Sequence, residues 1–210
     1  MNIMLINGSP HHNGCTNAAL DVISETLKSE GIDSTIFWIE NKPLSGCLGC
    51  GKCANTGNCI FNDKVNEFLD LAQKADGFIF GSPVHYASVS GSMTSFMDRA
   101  FFADLKGKRN SFYLKPGAAV VSARRAGTTA ALDQMNKYFL HAQMILIPSR
   151  YWNMVHGTTV DQIYQDLEGL QILRTLARNM SWFLKCKEAG KKNKVEFPIQ
   201  EERISTNFIR

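Results

Sequence analysis

The sequence predicts an α/β domain: a doubly wound, open sheet of five parallel strands with helices on both faces. Two observations carry that expectation. Five short apolar runs, at residues 3–6, 35–39, 77–80, 118–121 and 144–147, alternate with longer stretches whose apolar residues recur at helical spacing. Each run is short and mostly uninterrupted by charge, as strands buried on both faces are.

The elements follow in order. Residues 3–6 stop at Asn7-Gly8-Ser9-Pro10, a strand running into a turn. Thr16 is expected to cap a helix that carries Ala19, Leu20, Ile23 and Leu27 inward and closes at Gly31. Residues 35–39 form the second strand, with a cysteine loop at 46–60 after it. A helix from Asp63 presents Val65, Phe68, Leu69 and Ala72 on one face. The third strand, 77–80, ends at Gly81-Ser82-Pro83, and Met93, Phe96, Met97, Ala100 and Phe101 mark the helix beyond it. Residues 118–121 are the fourth strand, with Leu132, Met135 and Phe139 on the next helix. Residues 144–147, ended by Pro148, are the fifth. One long helix over 161–187 then packs through Leu167, Leu170, Leu173, Leu176, Met180 and Phe183, leaving a tail at 188–210.

Composition narrows the classes. With 210 residues, 44% of them hydrophobic, one domain with an ample core (1–187) is expected. The net charge of +4 is mild and its basic residues are scattered, which makes no case for nucleic acid. No apolar run approaches ~18 residues, so neither a membrane span nor a signal segment is expected. A cytoplasmic location is expected, where clustered cysteines bind metal or do redox work more often than they form disulfides.

Four cysteines, Cys47, Cys50, Cys53 and Cys59, fall within thirteen residues. Three thiols at a repeat of three with a fourth close behind suit a cubane iron–sulfur cluster, in which each iron takes one thiolate. Gly46, Gly49, Gly51 and Gly57 let the backbone curl around such a cage. Structural zinc, free or mutually oxidising thiols, and a loop that holds nothing are the competing readings. Cys186, remote on the last helix, reads as inert.

In an open parallel sheet a ligand lies beyond the carboxyl ends of the strands. The loop from Gly8 to Asn17 there is small, rich in hydroxyls and amides, and opens a helix, which suits a phosphomonoester. The bland reading is a turn whose Ser and Thr only cap. No Gly-Lys-Ser/Thr of a Walker loop and no Gly-x-Gly-x-x-Gly fingerprint is present. Arg124 and Arg125 follow the fourth strand, either as anion ligands or as solvated side chains. Tyr151 and Trp152 read as core packing by default, with stacking on a planar ligand or filling a subunit interface as the alternatives, and His156 before Gly157 reads as a turn.

The loop Gly8-Ser9-Pro10 through Gly14 and Thr16 resembles that of the NADPH-dependent FMN reductase-like flavoproteins, which have a flavodoxin-like fold. So do Gly81-Ser82-Pro83-Val84-His85-Tyr86, Ser90-Gly91-Ser92 and Met97-Asp98-Arg99. The four cysteines match the spacing of that family's iron–sulfur flavoprotein branch. The resemblance implies that Ser9, Asn13, Thr16 and Asn17 hold the FMN phosphate, with His11 where the family often has Arg and Cys15, a small filler, where Asn is common. Ser82, Pro83, Val84, His85 and Tyr86 would line the flavin ring; the bland reading of His85 and Tyr86 is a loop pair without flavin contact. Ser122, Arg124 and Gly127 belong to the segment that closes over the ring. Cys47, Cys50, Cys53 and Cys59 would hold a 4Fe–4S cluster, although the ferredoxin run's Pro after the last cysteine is absent and that cysteine lies two residues further on.

What the resemblance implies is an FMN-dependent oxidoreductase moving electrons from NAD(P)H or a reduced carrier of the ferredoxin type to an acceptor, with no protein acid or base required. It also implies a homodimer or tetramer, with the tail as an arm onto a neighbour or a loose terminus. The alternative is a non-enzymatic electron carrier or redox-responsive binding protein on the same fold, though carrier flavodoxins tend to be acidic and this chain is basic.

Overall fold

Apolar runs too short for helices pair side by side because their backbone groups need partners that no core side chain supplies. In the computed structural model, which describes residues 1–202 and 204–206, they form β1 (Asn2–Asn7), β2 (Asp33–Trp38), β3 (Gly77–His85), β5 (Pro116–Ala123) and β6 (Ile145–Leu146). Their order is β2-β1-β3-β5-β6, all parallel. A short β4 (Ser88–Val89) folds back antiparallel on β3, and β7 (Met154–His156) lies parallel to β5.

Alternation along each strand splits the core between two faces. Ile3 and Leu5 of β1 face the aliphatic side, formed with α1 (Cys15–Ser29), α6 (Val160–Gln165) and α7 (Leu167–Lys192). Met4 and Ile6 face the aromatic side, where Phe37, Phe68, Phe78, Phe80, Phe96 and Phe139 meet. That side is covered by α3 (Lys64–Ala72), α4 (Gly91–Lys106) and α5 (Thr128–His141). Phe68 and Phe96 sit edge-on with centroids 5.0 Å apart, a favoured aromatic geometry.

The order reverses between β1 and β3: the chain leaves β1 toward β2, then crosses back past β1. This is the crevice where such sheets bind ligands. Between β2 and α3 runs a long segment with only a four-residue helix, α2 (Cys53–Thr56). Among the described residues no helix is long and apolar enough to cross a membrane.

Several expected boundaries differ. Thr16 is not the cap of α1; Gly14 holds that position in extended backbone. The third strand does not end at Gly81 but continues to His85, because the hairpin with β4 extends its pairing. The fifth strand is divided. Pro148 has no N–H to continue the ladder. The chain therefore swings out over residues 147–153 and returns as β7, and the Asn153 amide bridges the gap by donating to Ala119 O at 3.1 Å. The last helix is broken at Asp166, whose carboxylate accepts from Gly169 N and His156 N and so caps a new helix. That helix runs on to Lys192, past the expected start of the tail.

Candidate functional site

The carboxyl ends of β1, β3 and β5 meet in register, with Asn7 beside Gly81 and Pro83 beside Ser122. Gly8 N–H donates to Gly81 O at 2.8 Å, and the Ser90 hydroxyl donates to Gly8 O at 3.1 Å. No side chain fits at Gly8: a Cβ would lie 2.7 Å from the Met93 sulfur and 2.9 Å from Gly81 O. The first two loops are thus locked backbone to backbone.

Asn7, fully buried, organises the first loop. Its Oδ1 accepts from Ser9 N at 3.0 Å, and its amide donates to His12 O and to Asn17 Oδ1. The Ser9 hydroxyl accepts from His11 N, and Trp38 Nε1 donates to Ser9 O at 2.8 Å while its ring packs on His12. The loop delivers the chain into α1 with no side-chain cap and no acid in the first turn. Free N–H groups at the positive end of a fifteen-residue helix have the chemistry to attract an anion.

Thr16 and Ser122 do something the sequence reading did not assign. Their hydroxyls bond each other at 2.8 Å, both buried, and tie α1 to β5. Asn17 spans Asn7 and Asp21. Burial pushes the Asp21 carboxyl up, against the Asn17 hydrogen bond. Asn13 and His11 are exposed at the mouth of the loop. Cys15 is half-buried and burial pushes its thiol up, which suits a filler more than a reactive thiolate.

The second loop is a hairpin. Val84 pairs with Val89 and His85 with Ser88, leaving Tyr86 and Ala87 as the turn. Both turn residues have positive φ, 49° and 59°, a conformation that favours Asn-Gly. Tertiary contacts impose it. Gln134 of α5 accepts from Ser88 Oγ and Val89 N, and Gly127 presses on the tip so closely that a Cβ there would lie 2.5 Å from Ala87 Cα. Ser82 spends its hydroxyl inside the loop, on Pro83 O and Ser90. His85 and Tyr86 are both exposed, and Tyr86 stands wholly in solvent. Arg124 and Arg125 are exposed and, among the described residues, pair with no acid.

The four cysteines line one pocket together with Leu48, Ile60, Phe61, Arg99 and Phe102. Cys53 is buried and Cys59 half-buried, while Cys47 and Cys50 are exposed. Burial pushes the Cys53 thiol up, and the sulfurs of Cys47, Cys50 and Cys59 push the same way. Gly49 N–H points at Cys47 Sγ at 3.5 Å. Asn66 holds the far end of the loop: it accepts from Cys59 N and donates to Cys59 O and Phe61 O. Arg109 donates to Gly57 O and Asn58 Oδ1. Among the described residues, no three His, Cys, Asp or Glu side chains stand close enough to share one metal ion.

Two expectations from the sequence do not hold. Tyr151 and Trp152 are not core residues: they are exposed on the outward swing, edge to face with each other. His156 is not in a turn but ends β7, its backbone N–H bonded to Asp166. Asn7 and Trp38 carry no signal in the sequence, and Ser90 and Arg99 stood in it only as motif residues without a role, because all four act through partners far along the chain.

The sequence pattern of the NADPH-dependent FMN reductase family matches residues 1–159. The chain is similar to an iron–sulfur flavoprotein of Methanocaldococcus jannaschii, with 31% identity over 188 residues, covering 86% of this chain and 93% of that one. An iron–sulfur flavoprotein of Clostridioides difficile is 36% identical over 136 residues, 63% of this chain and 59% of that one. Among solved structures, RosB with a bound intermediate matches with a TM-score of 0.67 at 12% identity, over 100% of this chain and 94% of that one, a likeness of fold alone. The chain therefore belongs to the NADPH-dependent FMN reductase family, on its iron–sulfur flavoprotein branch, and is an FMN-binding oxidoreductase.

Proposed function

We propose that the enzyme passes electrons from NAD(P)H or a reduced carrier of the ferredoxin type, through FMN, to an acceptor, and that Cys47, Cys50, Cys53 and Cys59 hold a 4Fe–4S cluster. The observation that carries the reading is the single pocket lined by all four thiols. A cubane takes one thiolate per iron, so its sulfurs stand at the corners of a cage rather than meeting on one ion. Four cysteines about one pocket offer one thiolate to each iron, and three of them crowd into seven residues where zinc sites usually set two pairs further apart. Leu48, Ile60, Phe61 and Phe102 give the pocket apolar walls. The names of the two relatives above favour the same assignment.

The chain's own groups divide the binding of FMN. The open N-terminus of α1, with Ser9 and Asn13 beside it, takes the phosphate. The Val84–Val89 hairpin orients the ring, and Arg124 supplies a cation on the facing loop. FMN, when bound, accepts a hydride and releases electrons singly or in pairs. No acid or base is required of the protein.

A cytoplasmic homodimer or tetramer completes the reading. Leu140, Trp182, Val195, Phe197 and Ile199 are exposed apolar side chains available to neighbouring copies. The test is the visible spectrum, iron and labile sulfide of protein purified without oxygen, together with NAD(P)H consumption when an acceptor is added. About four irons per chain and catalytic turnover are expected. Flavin bands without iron overturn the cluster, and stoichiometric reduction alone with every acceptor overturns the electron path.

A further inference from the structure

A guanidinium out of water is costly unless each face and donor finds a partner. Arg99, on α4, has no exposed side-chain surface, and its partners all come from the cysteine segment. Nη1 and Nη2 grip the two oxygens of Asp63 at 2.8 Å each, and Nη1 also donates to Ser45 O at 3.4 Å. The Phe61 ring lies 4.8 Å from the guanidinium carbon. Nε–H points at Cys59 Sγ, 3.2 Å away. Ser45 precedes the first cysteine and Asp63 follows the last, so one side chain clamps both ends of the loop and touches one of its sulfurs.

Two roles are open to such a residue. It staples the loop, or it also acts on whatever the sulfurs hold. An N–H aimed at a thiolate, and a cation beside it, favour the more negative, reduced state of an iron–sulfur centre and raise its reduction potential. Asp63 opposes that effect, because its carboxylate sets a negative charge against the same guanidinium. We infer that Arg99 is a positioning residue that raises the reduction potential of the centre on Cys47, Cys50, Cys53 and Cys59, and that Asp63 sets how far. The inference rests on the cluster reading above.

The paired charges give a test with opposite signs. Arg99→Gln removes the cation and the N–H to sulfur. Arg99→Lys keeps the charge but cannot grip Asp63 with two donors and reach Cys59 as well. Asp63→Asn removes the opposing charge while leaving an amide side chain that caps α3 as well as a carboxylate does. The full chain is prepared without oxygen, its iron, sulfide and FMN are counted, and the cluster potential is titrated by electron paramagnetic resonance. FMN content reports folding independently of the loop. The expected order of potentials is Arg99→Gln lowest, then Arg99→Lys, then wild type, with Asp63→Asn highest. Equal potentials in fully loaded proteins, or shifts of one sign for Arg99 and Asp63 substitutions, overturn the inference and reduce Arg99 to a staple. Where both Arg99 variants fail to load, Asp63→Asn decides alone, and a potential at or below wild type overturns it. Wild type with FMN but no iron overturns the cluster reading itself, an outcome recognisable before any variant is compared.

Discussion

At the scale of residues, the site depends on side chains that are missing as much as on those present. Gly127 has φ 94° and touches the strained Tyr86–Ala87 turn. Gly127→Ala is expected to cost about 1–3 kcal/mol through left-handed strain and overlap. Urea unfolding measures that cost, and calorimetric titration with FMN should show weakened binding in the same variant. Asp104 of α4 offers a test of pH. Burial pushes its carboxyl up, against the Ser111 hydrogen bonds and the charges of Arg109 and Lys115. A carboxyl raised in the fold contributes stability at low pH that is lost as pH rises through its folded value. Asp104→Asn, which cannot ionise yet can still accept from Ser111 N, should match wild type in acid and exceed it at neutral pH; urea midpoints at both pH values check this.

At the scale of elements, α1 and the cysteine loop behave differently. The N-terminus of α1 lacks an acid, so Asn13→Asp should stabilise the FMN-free protein by about 0.3–1 kcal/mol at low salt. The same carboxylate repels a phosphate, and FMN affinity should fall several-fold. Loss of affinity without gain in apo stability would count against the helix end as the phosphate site. At the far end of the cysteine loop, Asn66 of α3 satisfies both backbone groups of Cys59. Asn66→Ala should cost about 1–3 kcal/mol by leaving them unpaired, and should lower iron retention while sparing FMN. The sequence disclosed α1 and α3 through apolar spacing, and the helix expected from Asp63 begins at Lys64 with Asp63 as its cap. It could not disclose the hairpin at Tyr86–Ala87, whose turn lacks any Asn-Gly signal and is held by Gln134 and Gly127 from another helix. The role of Arg99 was hidden for a related reason: arginine on an amphipathic helix reads as solvent-facing, and its partners lie 36 to 54 residues upstream.

At the scale of the whole molecule, the first four strands, the helices between them and the order of the loops were legible because burial on two faces leaves a strong pattern. The divided fifth strand was not, since an apolar run broken by Pro148 looks the same whether or not the chain returns to the sheet. Oligomeric state belongs to this scale too. Truncation of residues 196–210 removes exposed Phe197, Ile199 and Ile204, and light scattering should then report a smaller assembly with FMN content unchanged. The interior is built from phenylalanine and aliphatic side chains, and none of the three tryptophans is among its fully buried members. Trp152 and Trp182 look outward, while Trp38 rests on His12 and holds the Gly8–Asn17 loop through Ser9. Intrinsic emission is therefore a poor witness to melting of the core. If the Gly8–Asn17 loop takes the phosphate as proposed, emission from Trp38 is instead expected to change when FMN binds.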